Sequence, residues 1–184
     1  MKAAAILLAS IAAVVGCAST TRQSAAPTSV QLPGSASLIV SRAEEALNSP
    51  ASPGWRPALR ADLERYLKEI GALSDAPSPG RALLNDSETW SASSAAEGAV
   101  RTGPMVSATN ARRLLVVARE AEFDTLDSSI VVCLGDLRAR SIRNCILFVL
   151  GRAQADEIDA ATICARGHVD ARITRDTSLY AISR

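Results

Sequence analysis

The chain has 184 residues, 48% of them apolar, which is enough for one domain with a buried core plus appendages. Only 3% are aromatic, which favours thin, close-packed elements over a bulky centre. The 20 basic and 19 acidic residues leave a net charge of +1 without any polybasic run, which argues against a nucleic acid held by bulk charge.

Met1-Lys2 is a short positive start, Ala3 to Val15 is apolar apart from Ser10, and Gly16-Cys17 follows. These are the three regions of a secretory signal. An apolar run of about 13 residues is too short to span a bilayer, which needs ~20. Val14-Val15-Gly16-Cys17 resembles the lipobox of bacterial lipoproteins. The resemblance implies that residues 1–16 are a signal peptide cut before Cys17. It implies that the Cys17 thiol receives a diacylglycerol and that the new amino group is acylated, palmitate being the expected chain. The membrane is then a partner through the N-terminal lipid, because several acyl chains hold a protein far better than one. Ala18, where an Asp retains Gram-negative members at the inner membrane, implies the outer membrane and a periplasm-facing domain.

Residues 17–36 are rich in Ser, Thr, Ala, Pro and Gln and read as a lipidated Cys followed by a flexible tether. Residues 37–94 read as a helical and loop segment. Leu38, Val40, Ala43, Ala46 and Leu47 lie near helical spacing and predict a helix over 37–48, ended by Pro50. Leu59, Leu63, Tyr66, Leu67 and Ile70 form one stripe and predict a second helix over 57–70. Pro57 suits its first turn and Gly71 its C′ position, while Arg60–Glu64 and Glu64–Lys68 are i,i+4 pairs. Residues 72–94, with Trp90, carry no periodicity.

A repeat governs the remainder, residues 95–184. Gly135, Gly151 and Gly167 recur at a constant interval of sixteen positions. Writing 111–184 in rows of that length aligns Leu115, Val131, Leu147, Ile163 and Leu179 in the fifth column. The seventh holds Val117, Cys133, Val149, Ala165 and Ala181, and the eleventh Ala121, Leu137, Ala153 and Val169. The thirteenth holds Phe123, Ala139, Ala155 and Ala171, and the sixteenth Leu126, Ile142, Ile158 and Thr174. Polar residues separate columns 11 and 13, the alternation of a strand. Each row therefore predicts one coil of two strands with a turn at the column-9 glycine. Stacked coils put each column about 4.8 Å above the last. Column 14 reads Asp124, Arg140, Asp156, Arg172 and column 1 reads Asp127, Arg143, Asp159, Arg175. Both alternate in sign along the stack, and a slip of register would lose the attraction. The row 95–110 fits poorly apart from Ala99, Val100, Gly103 and Met105.

The expected fold is mainly β: a parallel β-helix of about five sixteen-position coils over 111–184, preceded by two α-helices packing on it. Columns 4, 6 and 8 are also largely apolar (Ile130, Ile146; Val132, Phe148, Tyr180; Leu134, Leu150, Ile182) and should point outwards, where the two helices are their candidate cover. An α+β domain with antiparallel hairpins is the alternative, but it does not explain the period. On period, Gly column and apolar columns, residues 111–184 resemble the bactofilin-like coil-repeat proteins of bacteria.

Cys133, Cys145 and Cys164 fall in columns 7, 3 and 6 of different coils. Displacements of ~10–13 Å along the strand exceed the ~7 Å that a disulfide spans, so no intrachain bridge is expected. The same spacing argues against a metal site with His168, and no cofactor motif is present. The expected function is a membrane-anchored structural or protein-interaction lipoprotein of the bacterial envelope. Its partners are a second copy, through open coil ends, or another envelope protein. The alternative is a glycan-active enzyme using an exposed cluster of Asp136, Arg152, His168 and Asp170 for acid–base work.

Overall fold

The computed structural model describes residues 29–30, 34–72, 84, 100–173 and 176–182. The signal and lipobox residues, Cys17, Trp90, Thr174 and Arg175 lie outside this set. The elements in chain order are β1 (Ser29–Val30), α1 (Gly34–Asn48), α2 (Trp55–Glu69), β2 (Val100–Arg112), β3 (Leu115–Asp127) and β4 (Ile130–Cys133). They continue with β5 (Leu137–Arg143), β6 (Ile146–Val149), β7 (Ala153–Asp159), β8 (Thr162–Ala165), β9 (Val169–Ile173) and β10 (Ser178–Ile182). Regular structure thus begins inside the segment 17–36 expected as a tether.

Every strand pairing is parallel, and the order is β1-β10-β8-β6-β4-β3-β5-β7-β9, with β2 beside β3. This is a parallel β-solenoid of about five turns preceded by two helices. The chain climbs one coil at a time, so each strand's neighbour is the equivalent strand of the next coil. From β4 upwards the step is the expected sixteen: Ile130 lies beside Ile146, Ile146 beside Thr162 and Thr162 beside Ser178. The two lowest coils depart from the period. Val100 pairs with Leu115 and Leu115 with Ile130, a step one position shorter. The first row therefore contributes Val116 and Ala118, not Leu115 and Val117, to interior columns 5 and 7. The top of the return sheet also departs, because a bulge between Gln154 and Glu157 sets Ile158 beside Ile173. Ile173 fills the interior position expected for Thr174.

The interior is a continuous column of small and branched side chains. It includes Val116, Val131, Leu147 and Ile163 on one wall and Ala121, Leu137, Ala153 and Val169 on the other. Outward-facing Leu115, Val117, Ile130, Val132, Ile146, Phe148 and Cys164 form a second core with the helices. Trp55, Leu59, Leu63, Tyr66 and Leu67 of α2 and Ala36, Ile39, Ala43 and Ala46 of α1 are buried there. The Phe148 and Tyr66 rings meet in a T-shaped contact with centroids 5.4 Å apart. Helix α1 starts at Gly34, ahead of its expected start at Ser37, and its inner face is 36-39-43-46; Leu38 is 39% exposed. Helix α2 starts at Trp55, ahead of Pro57, keeps the Arg60–Glu64 pair at 3.1 Å, and ends as expected. Gly71 takes φ 71°, Ala72 N–H donates to Leu67 and Gly71 N–H to Lys68, the two bonds of a Schellman cap. Asp62 of α2, buried, ties the helices together through Arg42 of α1 at 3.5 Å.

The corners use two devices. At column 9 the reason for glycine is close approach. A Cβ on Gly135 would lie 2.5 Å from the Arg119 carbonyl oxygen, and one on Gly167 would overlap that of Gly151. At the other corner Arg113, Ser128, Asn144, Ala160 and Asp176 take φ of 48–61°, one per coil and none of them glycine. That left-handed conformation costs an L-residue about 1–2 kcal/mol. Ala160 has no side-chain hydrogen bond to offset it. Ala160→Gly should remove the strain and return about half of the gain through unfolded-chain entropy. The expected net stabilisation is about 0.5–1 kcal/mol, read as a melting temperature a few degrees higher. An unchanged or lower melt would show that the corner is held without strain.

Both ends of the stack are modified. Ser29–Val30 pairs with Ala181–Ile182, so β1 lies on the last strand of the helix-covered sheet. At the bottom, β2 places Arg101 in register with interior Val116, and Arg101 is exposed. A charge in an interior column, followed by Pro104, which has no N–H, blunts a sheet edge.

Candidate functional site

One sheet is covered by the helices; the other, made of β5, β7, β9 and the second halves of β2 and β3, presents its outer columns to solvent. Column 12 holds Glu122, Arg138, Gln154 and Asp170, and column 14 holds Asp124, Arg140 and Asp156. These seven side chains line a shallow groove of about 280 Å³ with Phe123, Ala139 and Ala155 as its floor. Strand alternation places them: Ala121, Phe123 and Leu126 turn inwards, so Glu122 and Asp124 must turn out.

Asp136, Arg152 and His168, expected as a cluster, stack at the corner beside this groove, one per coil, and all three are exposed. Their carbonyls accept from Ala121, Leu137 and Ala153 N–H at 2.9–3.0 Å. The Asp136 carboxylate accepts from the Arg152 backbone N–H at 2.8 Å, which ties two coils together. Asp170 lies in the next outward column, in register with Gln154. The structure thus brings Asp136 and Arg152 together through the backbone and sets Asp170 among the groove residues.

The charge columns follow the expected pattern with two changes. In column 1, Asp127, Arg143 and Asp159 are in register, and Arg112 extends the ladder downwards, 3.3 Å from Asp127. In column 14 the bulge displaces Arg172, which pairs with Glu157 at 3.2 Å instead of meeting Asp156.

Among the described residues, Cys133, Cys145 and Cys164 are buried free thiols. Cys133 Sγ lies 3.3–3.4 Å from the Asp136 and Arg119 carbonyls, and Cys145 Sγ lies 2.9 Å from that of Arg143. Cys164 faces the helices and hydrogen-bonds with Tyr66. Burial pushes the Cys133 thiol up to about 11 and those of Cys145 and Cys164 up to about 12. Because the unfolded thiols ionise near 9, their contribution to stability is complete below pH 9 and is lost as pH rises from about 9 to 12. Alkylation by iodoacetamide at pH 8, followed peptide by peptide, should leave all three unmodified in the native protein and modify all three in denaturant. Rapid native labelling of any one would contradict its burial. Among the described residues no group of three His, Cys, Asp or Glu side chains is placed to hold a metal ion. No helix among them is long and apolar enough to cross a membrane.

Sequence reasoning picked out column 14 as a stacking device but passed over column 12, whose mixture of Glu, Arg, Gln and Asp has no simple alternation. The signal that could have found the groove is the pair of spacings Glu122-x-Asp124 and Arg138-x-Arg140, in the same columns of successive rows. In comparisons with family models, curated proteins and solved structures, no match to this chain is found.

Proposed function

We propose that the chain is a lipid-anchored structural or protein-interaction module of the bacterial envelope, held at the outer membrane through Cys17 and facing the periplasm. The lipobox-like Val14-Val15-Gly16-Cys17 supports the anchor. The observation that carries the rest is the contrast between the two sheets. One is sealed by α1 and α2, while the other is an open polar face built from coils of nearly constant length. From β4 to β10 the helix-covered sheet keeps a constant step with no inserted loop, so there is no wall from which to build a deep cleft. Such a stack is a rigid presenter of surface.

Assembly through open coil ends is the mode of self-association expected from the repeat. Here β1 on one end and Arg101 with Pro104 on the other weigh against that mode and in favour of the open face. The glycan-enzyme reading requires Asp136, Arg152, His168 and Asp170 to converge on one bond. The Asp136 carboxylate is already engaged by the Arg152 backbone, and Asp170 belongs to the neighbouring column.

The anchor is tested by growing a Gram-negative host that expresses the full chain with radiolabelled palmitate. The chain should take up label and sediment with the outer membrane, and Cys17→Ala should be unlabelled and soluble. An unlabelled wild-type chain would overturn the lipoprotein reading.

A further inference from the structure

We infer that the open face docks a second copy of this chain, with the two stacks antiparallel. On β3, Glu122 and Asp124 form an acidic row; on β5, Arg138 and Arg140 form a basic row one coil above. Glu122 is in register with Arg138, and Thr125 with Ser141, so Asp124 also stands opposite Arg140. All four side chains are exposed and line one groove. The rows are about 4.8 Å apart, and within a row the residues are about 6.6 Å apart.

This patch is self-complementary. Consider a two-fold axis lying in the interface, parallel to the strands and midway between β3 and β5. It exchanges the rows, so the acidic row of each copy meets the basic row of the other. Glu122 then faces Arg138 and Asp124 faces Arg140, each pair made twice. An isologous contact requires such a patch, in which residue i meets j and j meets i. The next coil adds no like-charge clash, since Asp156 and Gln154 come opposite Thr109 and Ser107. The patch ends at column 10, where the same operation would bring Glu120 towards Asp136. The contrasting mode, parallel stacks related by an axis along the solenoid, sets acid on acid and base on base.

About this axis the two faces overlap over about 20 Å by 19 Å, from six residues per strand and the four strands β2, β3, β5 and β7. That is on the order of 400 Å² per copy, below the roughly 800 Å² of a standard stable interface. The association is therefore weak in solution, electrostatic, and strengthened when a membrane concentrates the copies. The inference rests on reading the chain as an interaction module but not on its lipid anchor.

The test is sedimentation equilibrium of the full chain in mild detergent. Wild type should be a dimer at high protein concentration in about 0.01 M salt, where charges act over ~30 Å. In 1 M salt, where they act over ~3 Å, association should weaken by roughly tenfold or more. Glu122→Arg/Asp124→Arg makes both rows basic, and Arg138→Glu/Arg140→Glu makes both acidic. Each should be monomeric at low salt, and an equimolar mixture of the two should dimerise. A wild-type chain that stays monomeric, a salt-independent dimer, or a mixture that fails to associate although both variants keep the β-sheet circular dichroism, would overturn the inference. A ladder of masses untouched by either reversal would also overturn it and assign association to the coil ends. A Cys17→Ala chain should dimerise as the wild type does, so failure of the anchor and failure of the dimer are separate results.

Discussion

Val149→Asp should unfold the solenoid at neutral pH. Val149 is fully buried inside the fourth coil, between Cys133 below and Ala165 above. All its neighbours in the interior column are apolar. An isolated carboxylate there has neither water nor a cation, and an uncompensated buried charge removes about 3–5 kcal/mol. Against the stability of an ordinary domain, about 5–15 kcal/mol, that is a large share, and for one at the lower end it is most of it. The sign of the pH dependence follows from the same cause. Burial raises the pKa of the new carboxyl above its unfolded value of about 3.9, so the variant is least destabilised below that pH and loses stability as pH rises. Val149→Asn lacks this titration and should be equally unstable at pH 4 and pH 8. The measurement is a far-UV circular dichroism melt of each variant at both pH values. A Val149→Asp melt like that of wild type at pH 8 would place Val149 outside the coil and undo the column assignment.

The column assignment was legible because the second to fourth rows obey one period. Where the period held, at Val131, Leu147 and Ile163 or at Leu137 and Ala153, inward residues were read correctly from spacing alone. It failed where a coil is one residue shorter. Leu114 to Ala118 are all apolar and all buried, three of them (Leu114, Val116, Ala118) against the interior and two (Leu115, Val117) against the helices. A strand buried on both faces has no alternation to read, so a shift of one residue leaves no trace in composition. The row that contains most of β2 fits the columns poorly for the opposite reason. Its interior column 5 holds Arg101 and its column 7 Gly103, the atypical content of an end coil. The left-handed corner was invisible because Arg113, Ser128, Asn144, Ala160 and Asp176 share no residue type.

The candidate site was legible only in part. His168, as the sole histidine, and its column neighbours drew attention as chemistry. The structure gives Asp136 a structural bond and leaves the face itself to Glu122, Asp124, Arg138 and Arg140. Those four carry no motif. They become a unit only when strands of successive coils are laid side by side, and their value lies in a symmetry that one chain does not display. The helix cover was readable because an apolar outer column needs a partner. The contact face of α1 was not, since Leu38 and Ile39 are adjacent and equally apolar, and only the 36-39-43-46 spacing selects Ile39.

Gly151→Ala should be nearly as damaging as the buried charge, for a purely steric reason. Gly151 N–H donates to the Gly135 carbonyl at 3.0 Å, and the two backbones lie so close that a Cβ on Gly151 would overlap the Gly135 carbonyl and the Asp136 carboxylate. The Asp136 side chain could swing away, but only by releasing the Arg152 N–H that it caps. The Gly135 backbone cannot, because it rests in turn on the Arg119 carbonyl. Forcing a methyl into such a site costs about 1–3 kcal/mol, and more when backbone must shift. Because the corner above, at Gly167, is built on Gly151, the displacement propagates upwards through the stack. A loss of about 3 kcal/mol corresponds to a melting temperature lower by roughly 6–12 °C for a chain of this size. The control is Gly54→Ala, whose Cβ meets nothing within 4 Å in an αR backbone and should leave the melt unchanged or slightly higher. Equal melts for the two variants would show that column 9 holds glycine for some reason other than contact between coils. A large loss at Gly151 alone would establish that coil-to-coil approach at this corner sets the height of the stack, and with it the spacing of the charged rows on the open face.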